Sequence, residues 1–178
     1  MLLFVSSMLY HNLIIATFTP FRVKLPTQDP LAARARALCL SAAESMSAIL
    51  RLHRDAYSRL GPAGVLHSGT VCICTFLDLI REKDSLPGLI HDSLIVIMYM
   101  AERLKLGKGI LRVIQGRAFT VARAALFPET IEMLDAFLSD RWKAGDFKEF
   151  SSMYPFASTS VMQGDLDMDK MRLSDLIT

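Results

Sequence analysis

Cysteine is scarce in this chain, and the pattern of its thiols is not that of a disulfide-stabilised protein. The 178 residues include three cysteines, Cys39, Cys72 and Cys74, an odd number without the regular spacing of a disulfide framework. Such usage is typical of a reducing, intracellular compartment. The Cys72-x-Cys74 pair with His67 also falls short of the four ligands of structural zinc. We therefore predict buried thiols and no metal site.

Long uninterrupted apolar runs are also missing, although 52% of the residues are hydrophobic and the mean hydropathy is +0.33. Residues 8–21, 63–80 and 86–101 are the most apolar stretches, and each is shorter than the roughly 20 residues of a membrane-spanning helix. Polar side chains interrupt all three, as His11 and Asn12 do in the first. Residues 1–18 lack the basic start of a secretory signal. We expect core helices, no membrane span, and apolar surface that a partner covers.

Motifs that identify an enzyme are absent from the sequence. It contains no H-E-x-x-H, no G-x-S-x-G and no phosphate-binding glycine loop after a strand. We therefore expect a protein that is not an enzyme, with no catalytic and no cofactor-binding residues. One alternative is a helical enzyme or small-ligand-binding protein with a pocket between residues 37–60 and 86–104, which would need His53, His67 and His91 to converge. A membrane-associated helical protein is a further alternative.

Charge is distributed unevenly along the chain. Residues 1–128 carry a net charge of +7 and residues 129–178 a net charge of −5, which together give the overall +2. Residues 103–127 contain six basic residues and no acidic one. Arg112 and Arg117 would lie about 140° apart on a helix, so no single basic stripe would face a nucleic-acid groove. We expect a solvated face or a contact with the acidic tail.

Helical periodicity dominates the first 143 residues. An apolar helix that ends near Pro20 is followed by a helix over residues 30–60, which Asp29 caps. Further helices are predicted over 63–82, although that segment would also suit a strand, and over 86–104 and 110–126, with a break at Gly107 and Gly109 between the last two. A final helix is predicted to begin at Pro128. The fold class predicted is all-α, a bundle of about six helices over residues 1–143, with a loosely ordered acidic tail over 144–178.

The helix over residues 30–60 is predicted to bury one face of residues spaced three and four apart. The residues of this face are Leu38, Ala42, Ser45, Ile49, Leu52, Ala56 and Leu60. Arginines lie largely outside it. In the helix predicted over residues 86–104, the residues expected to be buried are Ile90, Leu94, Ile97, Ala101 and Leu104.

A set of short motifs resembles the second half of the fungal-specific transcription factor domain, the regulatory middle homology region of fungal Zn₂Cys₆ proteins. The resemblance covers about residues 4–126. It rests on the order and spacing of Leu9-Tyr10-His11, Pro20-Phe21, Cys39, Ala42-Ala43 and Ile49-Leu50. Family members usually carry His-Arg before the Pro-Phe pair, whereas this chain has Phe18-Thr19.

The resemblance implies a transcription-regulatory domain that acts in the nucleus through protein partners or a small effector. It also implies a partial domain, truncated at its N-terminus. The family's zinc cluster needs six cysteines in one basic module, and this chain does not encode it. DNA would then be bound only through a separate module. The sequence leaves open whether the chain forms a homodimer.

Overall fold

Helices make up nearly all of the part of the chain that the structure, a computed structural model, describes: residues 2–57, 63–101 and 105–141. The elements are α1 (Leu2–Lys24), α2 (Pro30–Tyr57), α3 (Ala63–Asp78), α4 (Leu86–Ala101), α5 (Lys105–Val121), a short 3-10 helix (Arg123–Ala125) and α6 (Pro128–Arg141). The described residues contain no strand. The predicted all-α bundle of six helices is confirmed. The predicted tail over 144–178, and residues Leu60 and Leu104, lie outside the described residues.

The bundle is built around α3. This helix contacts α1, α2, α4 and α5, and α2 in turn contacts α1 and α4. Because α3 has neighbours on most sides, it needs apolar residues around nearly its whole circumference. Its side chains supply much of the core, including Val65, Leu66, Cys72, Ile73, Phe76 and Leu77. The predicted helix over residues 63–82 thus forms over Ala63–Asp78 and ends four residues early, and the strand that the β-branched residues of this segment would also suit is not formed.

The start of α2 follows the local signals in the sequence. The Asp29 carboxylate accepts a hydrogen bond of 2.7 Å from the backbone N–H of Leu31, and Pro30 occupies the first helical position. A side-chain oxygen at this position satisfies an amide that has no partner within the helix. The start of α6 at Pro128 is likewise as predicted. Both helices begin where residues close in sequence determine the backbone.

The predicted end of the first helix at Pro20 is wrong, because α1 continues to Lys24. A proline inside a helix removes one N–H and crowds the preceding turn, but it does not prevent continuation. Pro20 faces away from the bundle, while Phe18 packs against the core and Arg22 pairs with Asp78 beyond it. Contacts on both sides of Pro20 thus hold the last turn in helical form.

The predicted buried face of α2 is displaced from the observed one. Leu52 is exposed and Leu38, Ser45 and Ile49 are half-buried, while Ala42 is buried as predicted. The most deeply buried residues of α2 are Ala32, Ala35, Cys39, Ala43, Met46, Ser47, Leu50 and His53. Since α2 packs against α1, α3 and α4 together, its buried face is wide and is centred between those neighbours. The observed stripe of α4 agrees with the prediction from Ile90 to Ala101.

The predicted break at Gly107 and Gly109 is also wrong, because both residues lie inside α5. Gly107 is buried where α5 passes α4, and a Cβ atom there would lie 2.6 Å from the Cβ of Ala101 and 3.1 Å from its backbone N. Glycine lowers helix propensity, but here it permits the close approach of two backbones. The packing of α4 on α5 explains this residue better than a helix end does.

Candidate functional site

The outward face of α1 is the most unusual surface of the described residues. Leu3, Leu9, Tyr10, Leu13, Phe21 and Val23 are all exposed there, with Leu13 exposed to 66%. No Asp, Glu, Lys or Arg occurs before Arg22. Large apolar side chains that cluster on a surface without charges are typical of a surface that binds another molecule. We call this surface the α1 face; it comprises the exposed residues between Leu3 and Val23.

The residues that carry the family resemblance fall into two groups. Leu9, Tyr10, Pro20 and Phe21 are exposed on α1, and the His11 ring lies edge-on to that of Tyr10 at 5.3 Å between centroids. In contrast, Cys39, Ala42, Ala43 and Leu50 are buried and Ile49 is half-buried on α2. The α2 group belongs to the part of the core that is covered by the inner side of α1. The exposed α1 group contributes to the α1 face.

A half-buried charge cluster joins α1, α3 and α5. The Asp78 carboxylate accepts hydrogen bonds from Arg22 Nη2 at 2.8 Å and from Arg117 Nε at 2.9 Å. The Arg22 side chain is 8% exposed and that of Asp78 16%. Ion pairs this well shielded from water interact more strongly than surface pairs. The residues are 56 and 39 positions apart in sequence, so periodicity does not reveal them.

Helix ends explain why two arginines surround one carboxylate. Arg22 lies in the last turn of α1, Asp78 is the last residue of α3, and Arg117 is close to the end of α5. The C-terminus of a helix carries a partial negative charge, which the Asp78 carboxylate increases. Two guanidinium groups offset both contributions. The cluster therefore fixes the positions of three helices, and we assign it a structural role.

Two of the three cysteines, Cys39 and Cys72, are buried in the core, as predicted. Cys72 is fully buried and its thiol donates to the backbone carbonyl of Ala43 at 3.2 Å, and Cys39 is buried beside Ile15. Burial raises the pKa of both thiols. Cys74 is half-buried, and desolvation followed by the nearby Asp78 carboxylate raises its pKa to about 12. Thiols with raised pKa values are poor nucleophiles at neutral pH.

The three histidines of the alternative pocket have different neighbours. His53 is buried at the end of α2 with its ring 6.1 Å from that of Phe4. His91 Nδ1 lies 2.9 Å from the buried Thr130 hydroxyl of α6. His67 is exposed on α3. Burial lowers the pKa of His53. The contacts of His53 and His91 connect them to different helices, α1 and α6.

The space between α2 and α4 is occupied by direct contacts. The hydroxyls of Ser47 and Ser93 lie 3.0 Å apart in the interior, and Arg51 approaches Asp92 to 3.8 Å nearer the surface. The described residues form a pocket of about 390 Å³ elsewhere, at the end of α3, where residues 77–82 line it. Among residues 2–57, 63–101 and 105–141, no three His, Cys, Asp or Glu side chains are placed to bind a metal ion.

Two basic residues of the 103–127 stretch, Arg112 and Arg117, do not lie on the predicted solvated face, whereas Arg123 is exposed. Arg112 is buried and donates to the side-chain oxygen Oε1 of Gln115 at 2.7 Å, while Arg117 belongs to the charge cluster with Asp78. Arg123 lies over the Phe119 ring at 4.5 Å from its centroid. These three arginine side chains therefore lie in different environments and have different partners. Sequence reasoning indicated that they form no common stripe, but it did not identify the internal partners.

Comparison with known proteins gives no further constraint. No protein-family model, no curated protein and no solved structure matches this chain. Across the described ranges, no helix combines the length and apolar content required to cross a membrane. Because of its exposed apolar side chains, the α1 face is the candidate functional site. The sequence predicted this site only in part. The surplus of apolar residues in the sequence indicated an uncovered surface but not its location.

Proposed function

We propose that this chain is a transcription-regulatory interaction domain of the fungal zinc-cluster type, which lacks its own DNA-binding cluster. It acts in the nucleus by binding partners rather than by catalysis. The single observation that carries the proposal is the uncharged, exposed α1 face on an otherwise well-packed bundle. Residues of the family pattern, Tyr10 and Phe21 among them, contribute to this surface. Aromatic side chains of this kind are frequent anchors in protein interfaces.

The mechanism that fits this surface is a shift between bound and free states of α1. A partner that covers the α1 face gains the burial of large side chains such as Leu9 and Leu13. A protein or small effector that binds one state better than the other changes the population of the two. The charge cluster of Arg22, Asp78 and Arg117 connects α1 to α3 and α5, so a movement of α1 would extend to the central helix.

DNA binding is assigned to a separate module. Two arginines of the basic stretch form contacts with other residues of the bundle, Arg112 with Gln115 and Arg117 with Asp78. Arginines engaged in this way are not available to neutralise phosphates. The chain then contributes regulation, and another domain or subunit contributes the sequence specificity. Protein partners and a small effector are both compatible with this division.

A reporter assay tests the proposal. The full chain is fused to an unrelated DNA-binding module in yeast, and transcription from a promoter with the matching site is compared with that of the module alone. We expect the fusion to change reporter output severalfold. Leu13→Glu, which places a charge on the α1 face, is expected to return the output towards the level of the module alone.

The control is Phe127→Glu, a charge introduced at another exposed apolar residue, which precedes α6 and lies outside the α1 face. This variant is expected to retain the reporter effect. Immunoblotting and fluorescence microscopy establish that all fusions are present in the nucleus at similar levels. A fusion that reaches the nucleus intact and leaves transcription unchanged contradicts the proposed function.

A further inference from the structure

We propose that the α1 face binds a second copy of this chain, with the two α1 helices antiparallel across a two-fold axis between Tyr10 and Leu13. The inference names the partner of the surface on which the proposed function rests.

Two stripes of heptad spacing run along opposite sides of α1. The inner stripe packs on α2 and α3 and comprises Val5, Met8, Asn12, Ile15, Thr19 and Arg22. The outer stripe is exposed at every position and comprises Leu3, Ser6, Tyr10, Leu13, Thr17 and Pro20. Alternating steps of three and four residues keep the members of each stripe on one side of the helix, where a neighbouring helix can cover them. The inner stripe is covered by α2 and α3, whereas the outer stripe has no neighbour among the described residues.

An antiparallel two-fold pairs residues of the outer stripe in a consistent way. If Tyr10 of one copy lies opposite Leu13 of the other, Ser6 lies opposite Thr17 by the same operation, and Leu3 opposite Pro20. Each pair then occurs twice, as a symmetric interface requires. The large side chains meet at the centre. The small Ser6 and Thr17 let the helix backbones approach on either side.

Charge disfavours the acidic C-terminal segment and a lipid surface as partners of the α1 face, and it is compatible with a second copy. The acidic C-terminal segment, residues 144–178, would find no basic side chain along the α1 face before its end, because Arg22 is buried against Asp78 and Lys24 terminates the helix. A helix that lies on a lipid surface usually carries several Lys and Arg residues beside its apolar face. Two uncharged faces of the same chain meet without repulsion between like charges.

The available area also fits a dimer. The large apolar residues of the α1 face expose on the order of 700 Å² together, near the roughly 800 Å² that each partner buries in a standard interface. The outer stripe extends for roughly 26 Å from Leu3 to Pro20, as the rise of an α-helix gives. A single pair of helices can therefore cover most of this surface.

Sedimentation velocity and light scattering test the inference on the full chain from 1 to 100 µM. We expect a dimer of the 19.9 kDa chain that dissociates on dilution. Leu13→Glu places a carboxylate from each copy beside Tyr10 near the axis and is expected to weaken association at least tenfold. Phe127→Glu is the control and should associate as the unchanged chain does. Circular dichroism verifies that each variant remains helical.

Two exposed positions test the antiparallel orientation independently of Leu13. Ser6→Lys is expected to weaken association as a single substitution, because a charge enters the outer stripe. In the double variant, Ser6→Lys with Thr17→Glu, each lysine faces a glutamate of the other copy, and association should recover to within a few fold of the unchanged chain. In a parallel pair like charges would meet, and the double variant would associate most weakly.

The outcomes separate this inference from the proposed function. A chain that remains monomeric at 100 µM, or that dimerises equally well with Leu13→Glu, overturns the dimer. If that monomer still changes reporter output in a manner sensitive to Leu13→Glu, the α1 face binds a different protein and the regulatory function stands. A dimer that leaves the reporter unchanged supports the interface and contradicts the regulatory function.

Discussion

Asp78→Asn is expected to destabilise the fold by about 3 kcal/mol, because the substitution removes the only carboxylate of the charge cluster within the described residues. Asp78 accepts hydrogen bonds from both Arg22 and Arg117. Asparagine keeps the size of the side chain but loses the negative charge. The Arg22 guanidinium, whose side chain is 8% exposed, would then remain buried without a counter-ion.

The magnitude follows from this geometry. Breaking a buried ion pair by removing one partner usually costs about 3–5 kcal/mol. The carbonyl groups at the ends of α1 and α3 still offer partial negative charge to the arginines, which reduces the loss. Arg117 is 34% exposed and recovers part of its hydration. These two effects place the expected value at the lower limit, about 3 kcal/mol, a large part of the stability of a typical domain.

Urea denaturation followed by circular dichroism measures the loss at one fixed protein concentration, since dimerisation would add to apparent stability. Asp92→Asn is the matched control. Asp92 approaches Arg51 to 3.8 Å, and the two side chains are 43% and 42% exposed, so its loss should cost less than about 0.5 kcal/mol. The structural role of the cluster is refuted if Asp78→Asn lowers the free energy of unfolding by no more than Asp92→Asn does.

Two further predictions concern packing and pH. Gly107→Ala should destabilise the fold by about 2 kcal/mol, because the new Cβ would meet the backbone of Ala101, whereas Gly64→Ala, which meets only Val5 at 3.9 Å, should be neutral or stabilising by up to about 0.5 kcal/mol. The free energy of unfolding should also decrease below pH 6.5, since burial lowers the pKa of His53 in the folded state. In that range the unfolded chain binds the proton more readily, so acid favours unfolding.

Equilibrium unfolding curves test both the glycine prediction and the pH prediction. Equal effects of Gly107→Ala and Gly64→Ala would show that the backbones of α4 and α5 are not in close contact. For the second, unfolding is measured from pH 5 to pH 8, and His53→Gln should make the curve flatter over the range from pH 5 to 6.5. A histidine whose substitution leaves the slope unchanged is not the source of the pH dependence.

Local signals were sufficient for several parts of the fold. The Asp29-Pro30 pair specified the start of α2, and Pro128 the start of α6, because capping and proline geometry depend on neighbouring residues. The stripe from Ile90 to Ala101 on α4 followed from periodicity alone. The same local rules failed at Pro20 and Gly107. There, contacts with other helices outweighed the propensity of the residue, and the helices continued through both positions.

The candidate site shows a similar division. The sequence revealed too many apolar residues for the expected core, but the heptad spacing of the exposed residues of α1 became meaningful only when its other side was seen against α2 and α3. A helix with apolar residues all round has no preferred inner face until its neighbours are known. The packing of α1 against α2 and α3 thus determined which of its two stripes remained exposed.

By itself, the amino-acid sequence determined the helical class and most helix starts, and it indicated an uncharged first helix with a basic body and an acidic C-terminal segment. The tertiary structure alone decided that Arg22, Asp78 and Arg117 meet, that Gly107 serves a helix contact and that the α1 face is open. Periodicity and capping arise from residues a few positions apart. Ion pairs and exposed surfaces depend on residues that come together only when the chain has folded.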